Sequence, residues 1–296
     1  MASEAYDEYA ALLDSVRGIR WPARSAVRGG IPGAHTSRLR GISAEFTEYR
    51  PYRQGDDPRR IDWKLFARSD RAYIRLSNDR AILPTMIVLD ASASMAFPVA
   101  TNAKWKLAAQ LGVGLGAVAR NSGDPVGLVI AREDEPLVLA PRMRSSVTHD
   151  IIRAVSETHP AGNAPLSPAV SIAAQTGGRL VIVSDFLGDS AELLSVAGRW
   201  VVAGRELHAI HIVAREELDP SHESAMVADP ERDDIRRPMI GEARDQYVRA
   251  FGTWREELAH DWSDAGISYT MAVPDDETTD HLIRRIASIR TGAAIA

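Results

Sequence analysis

Apolar and polar positions divide the chain into segments of two kinds, and the most distinct are two short runs without polar interruption. Met86-Ile-Val-Leu89 and Leu180-Val-Ile-Val183 are β-favouring throughout, the pattern of central parallel strands covered on both faces. The first runs into Asp90 and the second, after Ser184, into Asp185. Residues 126–131 and 206–213 read as further strands, 136–140 as an antiparallel edge strand, and 267–273 as the last, with a short strand near Met226. Between them the 3.6-residue period predicts helices over 104–121, 147–158, 167–176, 190–203, 242–265 and 279–291. Asp189 and Glu192 form a capping box at the fourth of these. Strands that alternate with helices predict an α/β fold, a doubly wound and mostly parallel sheet flanked by helices.

The first 82 residues do not join this alternation. Leu12, Leu13 and Val16 stand at helical spacing, whereas 18–41 is rich in Gly, Pro, Arg and Ser and reads as irregular chain. Asp57 is a natural N-cap and Pro58 a natural first helical residue, which predicts a short helix starting there and burying Ile61, Leu65 and Phe66, with Trp63 in the core as well. Residues 72–76 then read as a strand. The division that follows is an N-terminal extension, 1–82, packed on a main domain, 83–296.

Composition narrows the picture. A chain of 296 residues with 45% hydrophobic content can bury a full core. Without cysteine there are no disulfides, thiolate zinc sites or cysteine nucleophiles. No apolar run approaches the roughly 20 residues of a spanning helix, and the acidic amino terminus is unlike a signal peptide. Together these point to a soluble, cytoplasmic protein that makes no membrane contact. The net charge of -5 hides an asymmetry, since 17–80 hold 15 Lys/Arg against 7 Asp/Glu and the remainder is correspondingly acidic. Those arginines are interleaved with Glu45, Glu48, Asp56, Asp57, Asp62 and Asp70, and no nucleic-acid motif accompanies them. Pairing with the acidic remainder is therefore preferred to nucleic-acid binding.

The candidate chemistry lies in Asp90-Ala-Ser92-Ala-Ser94, a carboxylate and two hydroxyls at alternate positions after a buried strand. Open α/β sheets bind ligands at the carboxyl ends of their strands, and an all-oxygen set suits a hard cation such as Mg2+. The plainer reading is that Asp90 and Asp185 only cap loops. A haloacid-dehalogenase phosphatase needs a second acid two residues after the first, where Ser92 stands. Neither a Gly-x-Ser-x-Gly elbow nor a His-Glu-x-x-His motif occurs. His208 and His211, three apart on a strand, point to opposite faces and read as packing residues. Gly112 and Gly116 lack dinucleotide-binding spacing and read as sites of close helix-to-sheet packing.

Shortly before the Asp-x-Ser-x-Ser loop comes a block made of Tyr49, Arg50, Tyr52, Arg53, Gly55, Asp56, Arg59, Arg60, Ile61, Asp62, Trp63, Ala67 and Arg68. By this block and that loop the chain resembles the bacterial von Willebrand factor A-like proteins of the family known as domain of unknown function fifty-eight. The resemblance runs from about Gly41 nearly to the carboxyl terminus. It implies a von Willebrand factor A-like fold and a metal-ion-dependent adhesion site (MIDAS) in which Asp90, Ser92, Ser94 and Asp185 are the retained Mg2+ ligands. The threonine of the usual Gly-Thr-Pro-Leu-like loop is missing: the matching stretch is Asn163-Ala164-Pro165-Leu166. Water, Asn163 or Ser167 fills the place of Ala164, or the site is degraded. The resemblance further implies a non-enzymatic protein-binding module, an adaptor or co-chaperone of a MoxR-type AAA+ ATPase. Two other classes stay open: a Mg2+-dependent phosphohydrolase using the same loop, which generic phosphatase substrates would test, and a nucleic-acid binder using the basic segment, which salt-sensitive DNA binding would test.

Overall fold

The computed structural model describes residues 2–23, 32–36, 46–53, 56, 58, 61–77, 80–176, 178–188, 190–221, 225–229, 232–239 and 241–289. Helix α1 (Ala2–Ser15) opens the chain. Its Tyr9 is buried, as are Val16 and Trp21 beyond it, and Leu12 and Leu13 pack against the same core. The backbone forms two compact units, Met1–Trp21 with Pro84–Ala296 and, separately, Pro22–Leu83. Helix α1 thus belongs to the main unit rather than to the segment that carries the Gly-Asp block.

In chain order the smaller unit holds strands β1 (Pro32–Thr36) and β2 (Phe46–Pro51), helix α2 (Trp63–Ser69), and strands β3 (Tyr73–Ser77) and β4 (Arg80–Ala81). β1 pairs antiparallel with β4, and β2 with β3. A strand therefore stands inside 18–41, where local composition predicted irregular chain; pairing with a distant segment extends it. Pro58 stands in a 3-10 turn, its carbonyl accepting the Ile61 N–H at 3.2 Å, and the α-helix begins at Trp63. Asp62 is its cap, with Oδ1 accepting the Lys64 and Leu65 N–H groups at 3.0 Å each. Asp57 lies outside the described residues, as do Gly55, Arg59 and Arg60. Ile61 precedes the helix and bridges to Ile74. Seven residues make about two turns, and none of them is buried. Trp63 is 61% and Phe66 36% exposed, edge to face at 5.9 Å, so neither is the core residue the sequence suggested. Two carboxylates organise the rest of the block: Asp62 accepts the Tyr49 hydroxyl at 2.9 Å, and Asp56 accepts from Arg50 at 2.8 Å and from the Arg53 N–H at 2.9 Å.

The main unit continues with β5 (Thr85–Asp90), α3 (Ala103–Asn121), β6 (Val126–Ala131), β7 (Leu137–Arg142), α4 (Val147–Glu157), α5 (Leu166–Ala173), β8 (Arg179–Ser184), α6 (Ser190–Val202), β9 (Glu206–Ile212), α7 (Arg215–Leu218), β10 (Ala225–Asp229), β11 (Arg232–Met239), α8 (Gly241–Asp264), β12 (Ser268–Ala272) and α9 (Thr279–Ser288). Six strands form one sheet in the order β12-β9-β8-β5-β6-β7, parallel except for the edge pair β6–β7. This is the predicted α/β fold, a doubly wound and mostly parallel sheet with helices on both faces. β10 and β11 form a separate antiparallel hairpin where one short strand was expected. Asp189 of the expected capping box lies outside the described residues.

Strands β5, β6, β8 and β9 are buried along their whole length, which explains their unbroken apolar runs. One face carries a core that includes Tyr9, Leu111, Ile151 and Ile283, and the other a core that includes Val170, Leu193, Leu258 and Trp262. The glycines of α3 serve close packing: a Cβ at Gly112 would stand 3.0 Å from Leu89 and one at Gly116 3.1 Å from Ile151. Among the described residues, no helix is long and apolar enough to cross a membrane.

Candidate functional site

Asp90 is the last residue of β5, and Asp185 follows the last residue of the neighbouring β8, so parallel pairing brings both acids to the carboxyl edge of the sheet. The chain turns sharply after each. Beyond Asp90, Ser92 stands before a short 3-10 turn at Ala93–Ala96, and the Ala93 N–H donates to the Gly162 carbonyl at 2.9 Å. That bond ties the serine loop to the loop that carries Asn163 and Ala164. Beyond Asp185, Phe186 adopts φ 53°, a left-handed conformation that costs a residue with a Cβ about 1–2 kcal/mol. Packing compensates: Phe186 is buried against Trp262 at 4.9 Å and His211 at 5.7 Å.

All four sequence-predicted ligands are buried at this edge. Asp90 Oδ1 accepts the Ser92 N–H at 2.8 Å and Oδ2 accepts the Ser184 hydroxyl at 2.6 Å, while the Ser92 and Ser94 hydroxyls bond to each other at 3.1 Å. Asp90, Ser92 and Asp185 line a cavity of about 300 Å3, together with Asn163, Ala164 and Ser167. Ser94 contributes only through Ser92. Pro165, Leu166, Phe186 and Leu193 give the same cavity apolar walls, and Glu192 also borders it. Ala164 thus gives this cavity a methyl group where the resemblance expects a hydroxyl, and Asn163 and Ser167 line the same cavity.

A residue missed by the sequence reading completes the centre. Lys104, in the first turn of α3, is fully buried and donates to Asp185 Oδ2 at 2.6 Å and to Glu217 Oε1 at 2.8 Å. Glu217 belongs to α7, where its other oxygen accepts the Ala214 N–H at 2.7 Å. Burial opposes the charge on Lys104, but the Asp185 and Glu217 carboxylates outweigh it and hold the ammonium above its usual range. Among the described residues Asp90 has no such cation. Burial, and then the Asp185 charge, push its carboxyl up to about 6 against the lowering hydrogen bonds from Ser184 and Ser92. Burial likewise raises Glu217. The signal in the sequence was α3 itself: a helix apolar on nearly every side must be covered on every side, and a lysine inside it must have partners.

Lys104 bonds Asp185 and Glu217, and Asp90 is a third carboxylate near Asp185, so the centre is short of positive charge. Its free chemistry is a carboxylate with two hydroxyls, a donor set that suits Mg2+ in type and sign. Asp185 is the weakest fit, because Lys104 already holds one of its oxygens and the Leu187 N–H reaches the other at 3.2 Å. Among the described residues no cluster of three or more His, Cys, Asp or Glu side chains suited to a metal occurs, so the hydroxyls are needed. The two histidines do diverge: His208 lies edge-on to Trp21 at 5.1 Å, and His211 bonds the Tyr269 hydroxyl at 2.5 Å on the other face. Burial pushes His211 down to about 3.

A second buried cation lies at the amino edge of the same sheet. Arg179, the first residue of β8, is fully buried. It donates to Glu206 at 3.0 Å and to the Trp21 carbonyl at 3.3 Å, lies 3.9 Å from Asp124, and stacks over the Trp21 ring at 4.2 Å. Trp21 is fixed in turn by its N–H, which donates to Ser122 at 2.7 Å.

Residues 48–257 match the family described as protein of unknown function DUF58. Over 291 residues the chain is 26% identical to uncharacterized proteins of Mycobacterium tuberculosis and Mycobacterium bovis, covering 95% of this chain and 91% of theirs. Among solved structures it is similar to a conserved hypothetical protein BatB from Bacteroides thetaiotaomicron, at 14% identity and TM-score 0.45 over 69% of this chain and 97% of that one. It is also similar to the VWA domain of SpRpn10, at 16% identity and TM-score 0.41 over 72% of this chain and all of the other. Strand order and connectivity, not these overlaps, define the fold.

Proposed function

The chain belongs to the DUF58 family of proteins of unknown function, and from that premise we propose that it is a non-catalytic protein-binding module whose contact point is the carboxyl-edge cavity. The observation that carries the reading is the contrast between its two acids: Asp185 is matched by Lys104, whereas Asp90 is buried beside two serine hydroxyls with no cation of its own among the described residues. Mg2+ held by Asp90 and Ser92, with Ser94 supporting Ser92 and Asp185 beside them, would supply the missing charge. An acidic side chain from a partner would be repelled by the bare centre and attracted by the loaded one, because Mg2+ with few protein ligands keeps open positions. The apolar walls around Ala164 suit the stem of that side chain. The partner proposed is a MoxR-type AAA+ ATPase, with this chain as its adaptor; that assignment rests on the family resemblance alone.

The test is binding of a MoxR-type ATPase from the same organism to wild type and to Ser92→Ala, in Mg2+ and in EDTA. The complex should form in Mg2+, weaken in EDTA, and weaken in Ser92→Ala while that variant stays folded. Equal affinity in all conditions would place the contact elsewhere, and steady turnover of phosphatase substrates lost in Asp90→Asn would replace the reading with a catalytic one.

A further inference from the structure

The central sheet ends in β12 on one side and β7 on the other, and these outermost strands are finished differently. On β12 the Met271 carbonyl accepts from Arg285 at 3.4 Å, and Arg255 donates to the Met271 sulfur at 3.3 Å, so side chains lie over the strand. β7 pairs only with β6, and among the described residues no other hydrogen bond reaches its backbone. We propose that the outer side of β7 binds the β7 of a second copy of this chain, antiparallel about a two-fold axis.

The strand itself is suited to such pairing. Leu137 and Leu139 pack against the core, while Val138, Ala140 and Arg142 alternate with them and are exposed, Val138 by 47%. No charge interrupts 136–141, and an open strand without charge offers its unpaired N–H and C=O groups to another chain. A bulge guards only its end: Ala140 and Pro141 together oppose Gly127 of β6, and Pro141 has no N–H to give. The run before the bulge stays open.

The charges at the two ends of the strand select the occupant. Glu133, Asp134 and Glu135 with Arg132 precede it, net -2, and Arg142 and Arg144 close it, net +2. All six are exposed, and among the described residues Asp134, Glu135, Arg142 and Arg144 form no ion pair. A second copy laid parallel would set like charges side by side at both ends. Laid antiparallel, it sets the acidic end of each strand against the basic end of the other, and the two-fold axis repeats that contact. With Leu139 on the axis, Val138 of each copy lies beside Ala140 of the other. The strip 133–144 is smaller than a standard interface of about 20–30 residues a side, so the dimer is weak and sensitive to salt.

The experiment is sedimentation velocity of the full chain from about 5 to about 200 µM, in about 50 mM and about 500 mM NaCl. Wild type should pass from monomer to dimer over that range, with a dissociation constant roughly tenfold higher at the higher salt. Val138→Lys, which puts a charge on the open strand at an exposed position, should stay monomeric and melt as wild type does. Reversing the acidic end, by Asp134→Arg with Glu135→Arg, should abolish the dimer, and so should reversing the basic end, by Arg142→Glu with Arg144→Glu. An equimolar mixture of these two reversed proteins should form a heterodimer, because opposite charges then meet at both ends. Ser92→Ala at the acidic centre should dimerise as wild type does. The proposal is overturned if wild type stays monomeric throughout, if Val138→Lys dimerises as wild type does, if the mixture of reversed proteins stays monomeric, or if Ser92→Ala loses the dimer.

Discussion

The two edges of the central sheet each carry a buried cation among carboxylates, yet they are built differently. At the amino edge Arg179 is enclosed by Glu206, Asp124, the Trp21 ring and the Trp21 carbonyl, and it joins β8 to the strap that follows α1. At the carboxyl edge Lys104 matches Asp185 and Glu217, but Asp90 and its two serines remain beside an open cavity. A guanidinium can satisfy several planar acceptors at once, whereas an ammonium is a point charge on a flexible stem. The residue type therefore fits the closed centre in one case and the unfinished one in the other. Buried charge alone does not mark a functional site; a buried charge that its surroundings leave unmatched does.

The largest effects should come from removing either cation. Lys104→Met and Arg179→Met should each cost about 3–5 kcal/mol in urea unfolding, because each strands buried carboxylates. The contrast is sharpened by rescue. Adding Asp185→Asn to Lys104→Met should recover part of the loss, and so should millimolar Mg2+, while Mg2+ should stabilise Arg179→Met no more than it stabilises wild type. Equal Mg2+ responses in the two variants would erase the distinction between the edges.

Next in size is a pH effect with two opposed parts. Asp90 is raised from 3.8 to about 6, so its contribution is fully present below pH 3.8 and is lost as pH rises through 6. His211 is lowered from 6.5 to about 3, so its contribution is present above pH 6.5 and is lost as pH falls toward 3. Between roughly pH 4 and 6 the two nearly cancel in wild type, each having a slope of up to about 1.4 kcal/mol per pH unit. Relative to wild type, His211→Phe should lose stability as pH rises across that window, and Asp90→Asn should gain it. Urea midpoints at the two ends of the window decide the matter, and parallel trends in all three proteins would contradict these assignments.

The smallest effect is that of Mg2+ on wild type. With a dissociation constant near 1 mM, about 10 mM Mg2+ would contribute ~1.4 kcal/mol, a rise of roughly 3–6 °C in Tm. Ala164→Thr should enlarge that rise in a thermal melt, because it adds a hydroxyl to the cavity wall. No gain from the added hydroxyl would mean that Ala164 does not face the ion.

The sheet was legible because β5 and β8 are apolar without a break, and burial on both faces is what produces that pattern. The acids and serines were legible for the same reason, each standing where a buried strand ends. Lys104 and Glu217 were not, since their partners are brought together across 81 and 113 residues and α7 is only four residues long, too short to show a period. Around Asp62 the misreading was local. A turn does stand at Pro58, but the α-helix is the one that Asp62 caps, and its Trp63 and Phe66 lie outside the core. Aromatic content predicted burial there, and a seven-residue helix cannot supply it.

The claim that the carboxyl edge is an open cation site and the amino edge a closed one is tested most directly by Mn2+ binding, followed by electron paramagnetic resonance. Wild type should bind one Mn2+ per chain, displaced by Mg2+; Asp90→Asn should lose it, and Glu206→Gln, which removes one acid at the opposite edge, should keep it. An unbound Mn2+ spectrum with wild type, or equal binding by wild type and Asp90→Asn, would contradict the account.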